Sequence, residues 1–411
     1  RAMWLLAEII MRGKDGSATD TSQAIKLLKG SAELGHTQSN GRLGLVYHIG
    51  EGVEIDGKAA LDWYLKATES NDTWSMIRIG ELYRDGVAGI DKDPLKAREW
   101  YEKAVENGDT AGLVSIGYLY EEGRGVDKSI SEAKRWYEKA AAQQNTDAIL
   151  NLGVLAYYGR GKDAERDFDT ARQRFEEAVQ LGNYFASTAL GIMSQHGQGG
   201  PRDYAKAREH YLKAIDMEDA AGANALGWLY ADGKGVDRDF AKAREYINLA
   251  ERMMYEDIKI SKGRLEIDEL EAAGDLAKAF ELQTELCAIS EAQEVKKYGE
   301  PRDYTTADID RRARIAILMG DYDKALAISD EGIGRLKDEY KPDLHRAHAL
   351  MFLNRTDEAK AVYTAHKGRI YAGSSYLSWE YSVADDFARF RAAGRTHPLM
   401  AEIEKELGLT N

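Results

Sequence analysis

An alanine that opens an aromatic-rich segment recurs at Ala24, Ala60, Ala97, Ala133, Ala171, Ala207 and Ala243, at intervals of 36, 37, 36, 38, 36 and 36 residues. A period of this size marks stacked supersecondary units, because one such unit cannot bury its own apolar face. Each unit then contacts only its neighbours, so 411 residues need not share one core. Five prolines against 39 glycines favour helices closed by glycine.

Residues 110–145 show one unit in full. Gly112, Ile116, Leu119 and Tyr120 recur at helical spacing, Gly123-Arg124-Gly125 interrupt them, and Ala133, Trp136, Tyr137 and Ala140 restore the spacing. The pattern predicts helix, glycine loop, helix, with apolar stripes facing each other. The first helix repeatedly carries a glycine after a large aliphatic residue, at Gly44, Gly80, Gly117, Gly153, Gly191 and Gly227. Glycine inside a helix costs about 1 kcal/mol relative to alanine, so its recurrence predicts close helix–helix contact. Loop glycines follow in pairs: Gly50 and Gly52, Gly86 and Gly89, Gly123 and Gly125, Gly159 and Gly161, Gly197 and Gly199, Gly233 and Gly235. Four residues before each marker alanine stands Asp20, Asp56, Asp93, Ser129, Asp167, Asp203 or Asp239, all good N-cap types.

The string A-x-x-x-L-G-x-x-Y-x-x-G-x-G-V-x-x-D followed by K-A-x-x-W-Y-x-K-A-A resembles the Sel-one-like repeat, a relative of the tetratricopeptide (TPR) repeat. Residues 110–145 and 220–250 carry it best. The resemblance implies an all-α fold, a right-handed α-solenoid superhelix of stacked helix-turn-helix units, with seven such hairpins over residues 1–252. The pattern departs at residues 162–166, which interrupt one loop, at Gly200-Pro201, which replace a valine, and at Ala156 and Ser194, which replace the tyrosine.

Beyond residue 252 a different signature follows, in the segments beginning Gly274-Asp275, Gly320-Asp321 and Asn354-Arg355. Ala325 to Ala359 spans 34 residues, the TPR spacing. The preceding interval of 46 carries its excess near Lys296–Pro301, as a loop or a longer helix end. Residues 253–373 thus read as about three TPR-like hairpins. Residues 374–411 read as capping helices broken at Gly394, with Trp379, Phe387 and Phe390 covering the last open face. This tail resembles closing segments of large bacterial TPR and Sel-one-like proteins, some with a caspase-like protease domain upstream.

The chain offers few chemical constellations. Gly159-Arg160-Gly161-Lys162 lacks the strand of a dinucleotide fingerprint and the frame of a P-loop, and its loop recurs, so helix termination explains it. His345 and His348 lie three apart on a helix, a spacing that suits metal ligation. No third ligand joins them in sequence, so an exposed pair on a polar helix is expected. Cys287, between Leu286 and Ala288, reads as a packed thiol. Trp63-Tyr64, Trp100-Tyr101 and Trp136-Tyr137 sit at equivalent positions and read as repeat core. No catalytic, cofactor or metal site is expected.

Net charge of −14 argues against nucleic-acid or anionic-membrane surfaces, and no apolar run approaches a membrane span. The expected function is a non-enzymatic scaffold holding a protein or peptide in a concave groove. In TPR-like superhelices the first helices line that groove, at positions flanking the helix glycine. Carried onto this chain, those positions give Glu81, Arg84, Tyr118, Glu121, Tyr157, Gln195, Asn224 and Trp228 as partner-binding candidates, with no apparent basic clamp for a terminal carboxylate. The alternative is the regulatory or target-recognition region of a larger bacterial enzyme such as a caspase-like protease. Arg1 begins inside a repeat without an initiator methionine, which suggests a trimmed piece of a longer chain. A cytoplasmic location is favoured, or a periplasmic or exported one if a leader was removed.

Overall fold

The computed structural model describes residues 1–12, 21–159, 166–255, 257–298, 301, 303–335, 343–368 and 379–409. Among them are 22 α-helices and no β-strand. The chain divides into two compact units, Arg1–Leu190 and Gly191–Asn411.

Unit 1 is a series of antiparallel hairpins: α1 (Ala2–Arg12) with α2 (Thr21–Glu33), α3 (Thr37–Ile49) with α4 (Gly57–Thr68), α5 (Thr73–Asp85) with α6 (Pro94–Glu106), α7 (Ala111–Glu122) with α8 (Ile130–Ala141), and α9 (Thr146–Tyr158) with α10 (Phe168–Gln180). It ends within α11 (Phe185–His196). Unit 2 takes the rest of α11 and α12 (Tyr204–Asp216), then pairs α13 (Ala220–Asp232) with α14 (Phe240–Arg252), α15 (Ile258–Ala273) with α16 (Leu276–Tyr298), α17 (Asp303–Met319) with α18 (Tyr322–Arg335), and α19 (Asp343–Phe352) with α20 (Thr356–Ala365). Helices α21 (Trp379–Ala392) and α22 (Leu399–Glu406) close it. The 46-residue interval is absorbed in part by α16, which runs 23 residues.

Local chemistry sets the helix ends. Asp56, Asp93, Ser129, Asp167, Asp203 and Asp239 each accept a backbone N–H of the helix they precede. Each such cap stabilises by about 1 kcal/mol. Their own backbone N–H groups donate to the carbonyls of Tyr47, Tyr83, Tyr120, Ala156, Ser194 and Tyr230. Because that bond is main chain only, Ala156 and Ser194 serve as well as tyrosine. Asp20, Arg160-Gly161-Lys162, residues 163–165 and residues 374–378 lie outside the described residues.

The glycines have two distinct jobs. Gly125 takes a left-handed φ of 69°, and a Cβ there would sit 2.6 Å from Pro94 Cβ at the start of α6. The helix glycines instead make room for a ring. A Cβ on Gly117 would lie 2.5 Å from Tyr137 Cε1, and Gly44, Gly80, Gly153 and Gly191 face Tyr64, Tyr101, Phe175 and Tyr211 in the same way. Gly227 faces Ile247. All seven marker alanines are fully buried beside these contacts.

A further periodic feature was not read from the sequence. The turn between hairpins holds a left-handed residue at Gly35, Asn71, Gly108, Gln144, Gly182, Glu218 and Met254, with φ between 58° and 90°. Glycine fits that conformation without strain, whereas glutamine, glutamate and methionine do not.

The Trp–Tyr pairs split. Tyr64, Tyr101 and Tyr137 are fully buried, as repeat core requires. Trp63, Trp100 and Trp136 are half-buried, and Lys66, Lys103 and Lys139 lie over their rings at 4.0, 3.8 and 4.0 Å. Cys287 is buried in the core of unit 2, and so are Trp379, Phe387 and Phe390.

Candidate partner-binding recess

The sequence candidates fall into two settings. In unit 1 the ring of Tyr118 on α7 lies between Arg84 of α5 and Arg124, whose guanidinium carbons stand 5.4 and 5.5 Å from its centroid. Asp85 holds both arginines, at 2.5 and 2.8 Å. Burial opposes the Asp85 charge, but Arg84 and then Arg124 outweigh it and keep the carboxyl below its usual range. Glu81 is tied to Arg78 at 2.7 Å, one turn away.

Glu121 and Tyr157 are buried, at 8% and 6% exposure, and offer little surface to a partner. The reason lies in the facing helix. Tyr137 donates its hydroxyl to Glu121 Oε2 at 2.8 Å, and in unit 2 Tyr211 donates to Gln195 Oε1 at 2.9 Å. His48 Nδ1 is 3.3 Å from the Tyr64 hydroxyl. Where the second helix has no hydroxyl, at Phe175 and Ile247, the first-helix position four after the glycine is Tyr157 or Ala231. At Tyr64, Tyr137 and Tyr211, three of the four tyrosines that face a helix glycine, that position meets the phenol it covers.

Asn224 and Trp228 occupy a different place. They sit on α13 at one end of a recess of about 460 Å³ within unit 2. Every helix lining it is the first of its hairpin: α13, α15, α17, α19 and α21. Arg264, Arg311, Arg314 and Arg389 project into this recess from α15, α17 and α21. Each has an acidic partner. Arg264 donates to Asp308 Oδ1 at 2.8 Å, Arg314 to Glu271 at 3.0 Å and Arg389 to Asp385 at 3.0 Å, and Arg311 pairs with Asp268. Burial works against the Glu271 charge, yet Arg314 and Arg311 hold its carboxyl low; burial wins at Asp268, which is raised. The stripe read from sequence stopped at Trp228, yet the phase runs on into α15: Gly263 lies 36 residues after Gly227, a Cβ there would sit 3.0 Å from Leu286 Cδ1, and Arg264, one after it, lines the recess.

At the floor of the recess the structure corrects one expectation. His345 and His348 are not an exposed pair; they are 4% and 0% exposed. The helix α19 is buried on nearly every side, since eight of its ten residues are buried. Asp386 of α21 meets both rings, its Oδ2 lying 3.0 Å from His345 Nε2 and 3.3 Å from His348 Nε2. On the opposite edges, His345 Nδ1 meets Asp310 Oδ1 of α17 at 3.0 Å, and His348 Nδ1 meets the Tyr363 hydroxyl of α20 at 2.5 Å. Burial disfavours a charged His345, but Asp386 and Asp310 prevail and raise it to about 9. Burial prevails at His348, which is lowered. Asp386 is held well below the usual carboxylate range by His345 despite its burial. Sequence reasoning missed Asp310 and Asp386 because each comes from a helix at least 35 residues from the pair.

Among the described residues no helix is long and apolar enough to cross a membrane. Residues 1–36, 38–72, 75–109, 111–145, 146–183, 185–219 and 220–253 each match the Sel1 repeat. Similar solved structures include c5321, a protective antigen of uropathogenic Escherichia coli strains displaying an SLR fold, at 22% identity and a TM-score of 0.46, covering 95% of this chain and 86% of that one. A Sel1 repeat protein from Oxalobacter formigenes is 29% identical with a TM-score of 0.46, over 56% of this chain and 93% of that one. Yeast Tom70 is 15% identical with a TM-score of 0.37, over 90% and 80%. No curated protein matches the sequence.

Proposed function

Because the chain belongs to the Sel1 repeat family, with seven repeats over residues 1–253, we propose that it is a non-catalytic scaffold that holds a protein or peptide segment against its first helices. Sel1 and TPR-like folds are generally protein-interaction scaffolds. The observation that carries the finer reading is the recess of unit 2, to which the first helices of successive hairpins all contribute. Its arginines and aspartates alternate in charge, and Trp228 and Tyr381 add half-buried aromatic surface. That chemistry suits an extended polar segment of mixed charge with an aromatic or aliphatic anchor.

The test is selection of displayed random peptides on the whole chain, followed by titration of the winners. Peptides that bind wild type and lose at least tenfold in affinity on Trp228→Ala support the reading. Peptides whose binding is indifferent to Trp228→Ala and to Tyr381→Ala remove the recess from it. Among the sequence candidates, Tyr118 with Arg84 offers a second exposed aromatic position, and Tyr118→Ala is the parallel variant for unit 1.

A further inference from the structure

The five polar groups at the floor of the recess have an arrangement that an ordinary ion pair does not need. One donor atom from each of His345, His348 and Asp386 lies within 4.8 Å of the other two. Both imidazoles turn Nε2 toward the same carboxylate oxygen, at 3.0 and 3.3 Å. Four-coordinate zinc bound at about 2.0–2.1 Å by nitrogen and oxygen spaces its ligand atoms about 3.3 Å apart. Both distances fall near that value. The far edges of the rings are engaged as well, by Asp310 at His345 Nδ1 and by the Tyr363 hydroxyl at His348 Nδ1. A metal-binding histidine has such an outer partner, which fixes the ring and its tautomer.

Two further facts separate this cluster from a solvated acidic patch. His345 Nε2, although close to Asp386, has no aligned hydrogen-bond partner, and it is fully enclosed. His345, Asp310 and Asp386 line the recess, which is the route by which an ion would reach the cluster.

We propose that His345, His348 and Asp386 form a binding site for a divalent transition-metal ion of the zinc class, with Asp310 and Tyr363 as positioning residues. Two imidazoles and one carboxylate suit zinc, cobalt or iron(II) and not calcium or magnesium, which prefer all-oxygen shells. Three protein ligands leave one position open, as in sites that exchange water or accept a further ligand.

The experiment uses the full chain, stripped with chelator and titrated with Zn²⁺ and separately with Co²⁺. Expected are one tightly held zinc per chain and visible Co²⁺ bands of nitrogen–oxygen ligation that Zn²⁺ abolishes. Hydrogen exchange of the zinc-loaded wild type should slow in α19 and α21. Asp386→Asn should lose the ion, and Tyr363→Phe should weaken binding about 10–100-fold while keeping the ligands. Wild-type chain that takes up no zinc at stoichiometric concentration overturns the proposal. Protection confined to other helices, or sulfur-to-cobalt bands pointing to Cys287, overturns it equally, and neither readout depends on a variant that folds.

Discussion

Gly117→Ala isolates the contact that fixes the repeat. Alanine is favoured over glycine inside a helix by about 1 kcal/mol, so propensity alone predicts stabilisation. The structure predicts the reverse. The new methyl would stand 2.5 Å from Tyr137 Cε1 and 2.8 Å from Cδ1. Tyr137 has no room to retreat: it is fully buried and its hydroxyl is bound to Glu121 at 2.8 Å. Overpacking of this kind costs about 1–3 kcal/mol, and a pinned ring places it at the upper end, for a net loss of about 2 kcal/mol. Gly30→Ala in α2 is the control, since its Cβ would meet Met3 at ordinary distances, 3.6 Å to Sδ and 3.9 Å to Cε. It should gain up to about 1 kcal/mol. Urea unfolding by circular dichroism gives the global effect, and native-state hydrogen exchange of α7 and α8 gives the local one, which matters because long arrays lose two-state behaviour. In a Tyr137→Leu background the alanine should turn favourable. A Gly117→Ala chain as stable as Gly30→Ala, or a penalty unchanged by removing the ring, would refute the reasoning.

Other expectations rest on single contacts. Glu121→Leu should destabilise by about 1–3 kcal/mol by leaving the buried Tyr137 hydroxyl unpaired, and adding Tyr137→Phe should recover most of it in the same urea assay. Gln144→Gly should stabilise by about 1 kcal/mol, read as a higher urea midpoint, because Gln144 holds φ at 59° where glycine is unstrained. His196 carries a pH signature: burial, then Lys234 and Arg202, lower it to about 4 from 6.5. The unfolded chain thus binds its proton first, so this contribution is complete above pH 6.5 and is lost as pH falls toward 4, by roughly 3 kcal/mol at most. Wild type should therefore lose stability relative to His196→Gln across that window, and parallel pH curves for the two chains would contradict it.

The sequence by itself determined the repeat, because every device that builds it is local or nearest-neighbour. The caps and the helix glycines act within one hairpin, loop glycines such as Gly125 act against the hairpin before, and their period is visible in a one-dimensional string. The same locality explains why the Gly-x-Gly segments and the buried tyrosines could be assigned to the fold. The left-handed turn position escaped notice because Gln144, Glu218 and Met254 there carry none of the usual glycine signal. The stripe rule reached Asn224 and Trp228, which line the recess, but it also included Glu121, which instead satisfies a buried phenol. Only tertiary structure decided the floor of the recess. Asp310, His345, Tyr363 and Asp386 come from four helices spread over 77 residues, and no period relates them. Clusters of that kind are assembled by packing between hairpins, so the sequence shows a pair of histidines and the fold supplies what they face.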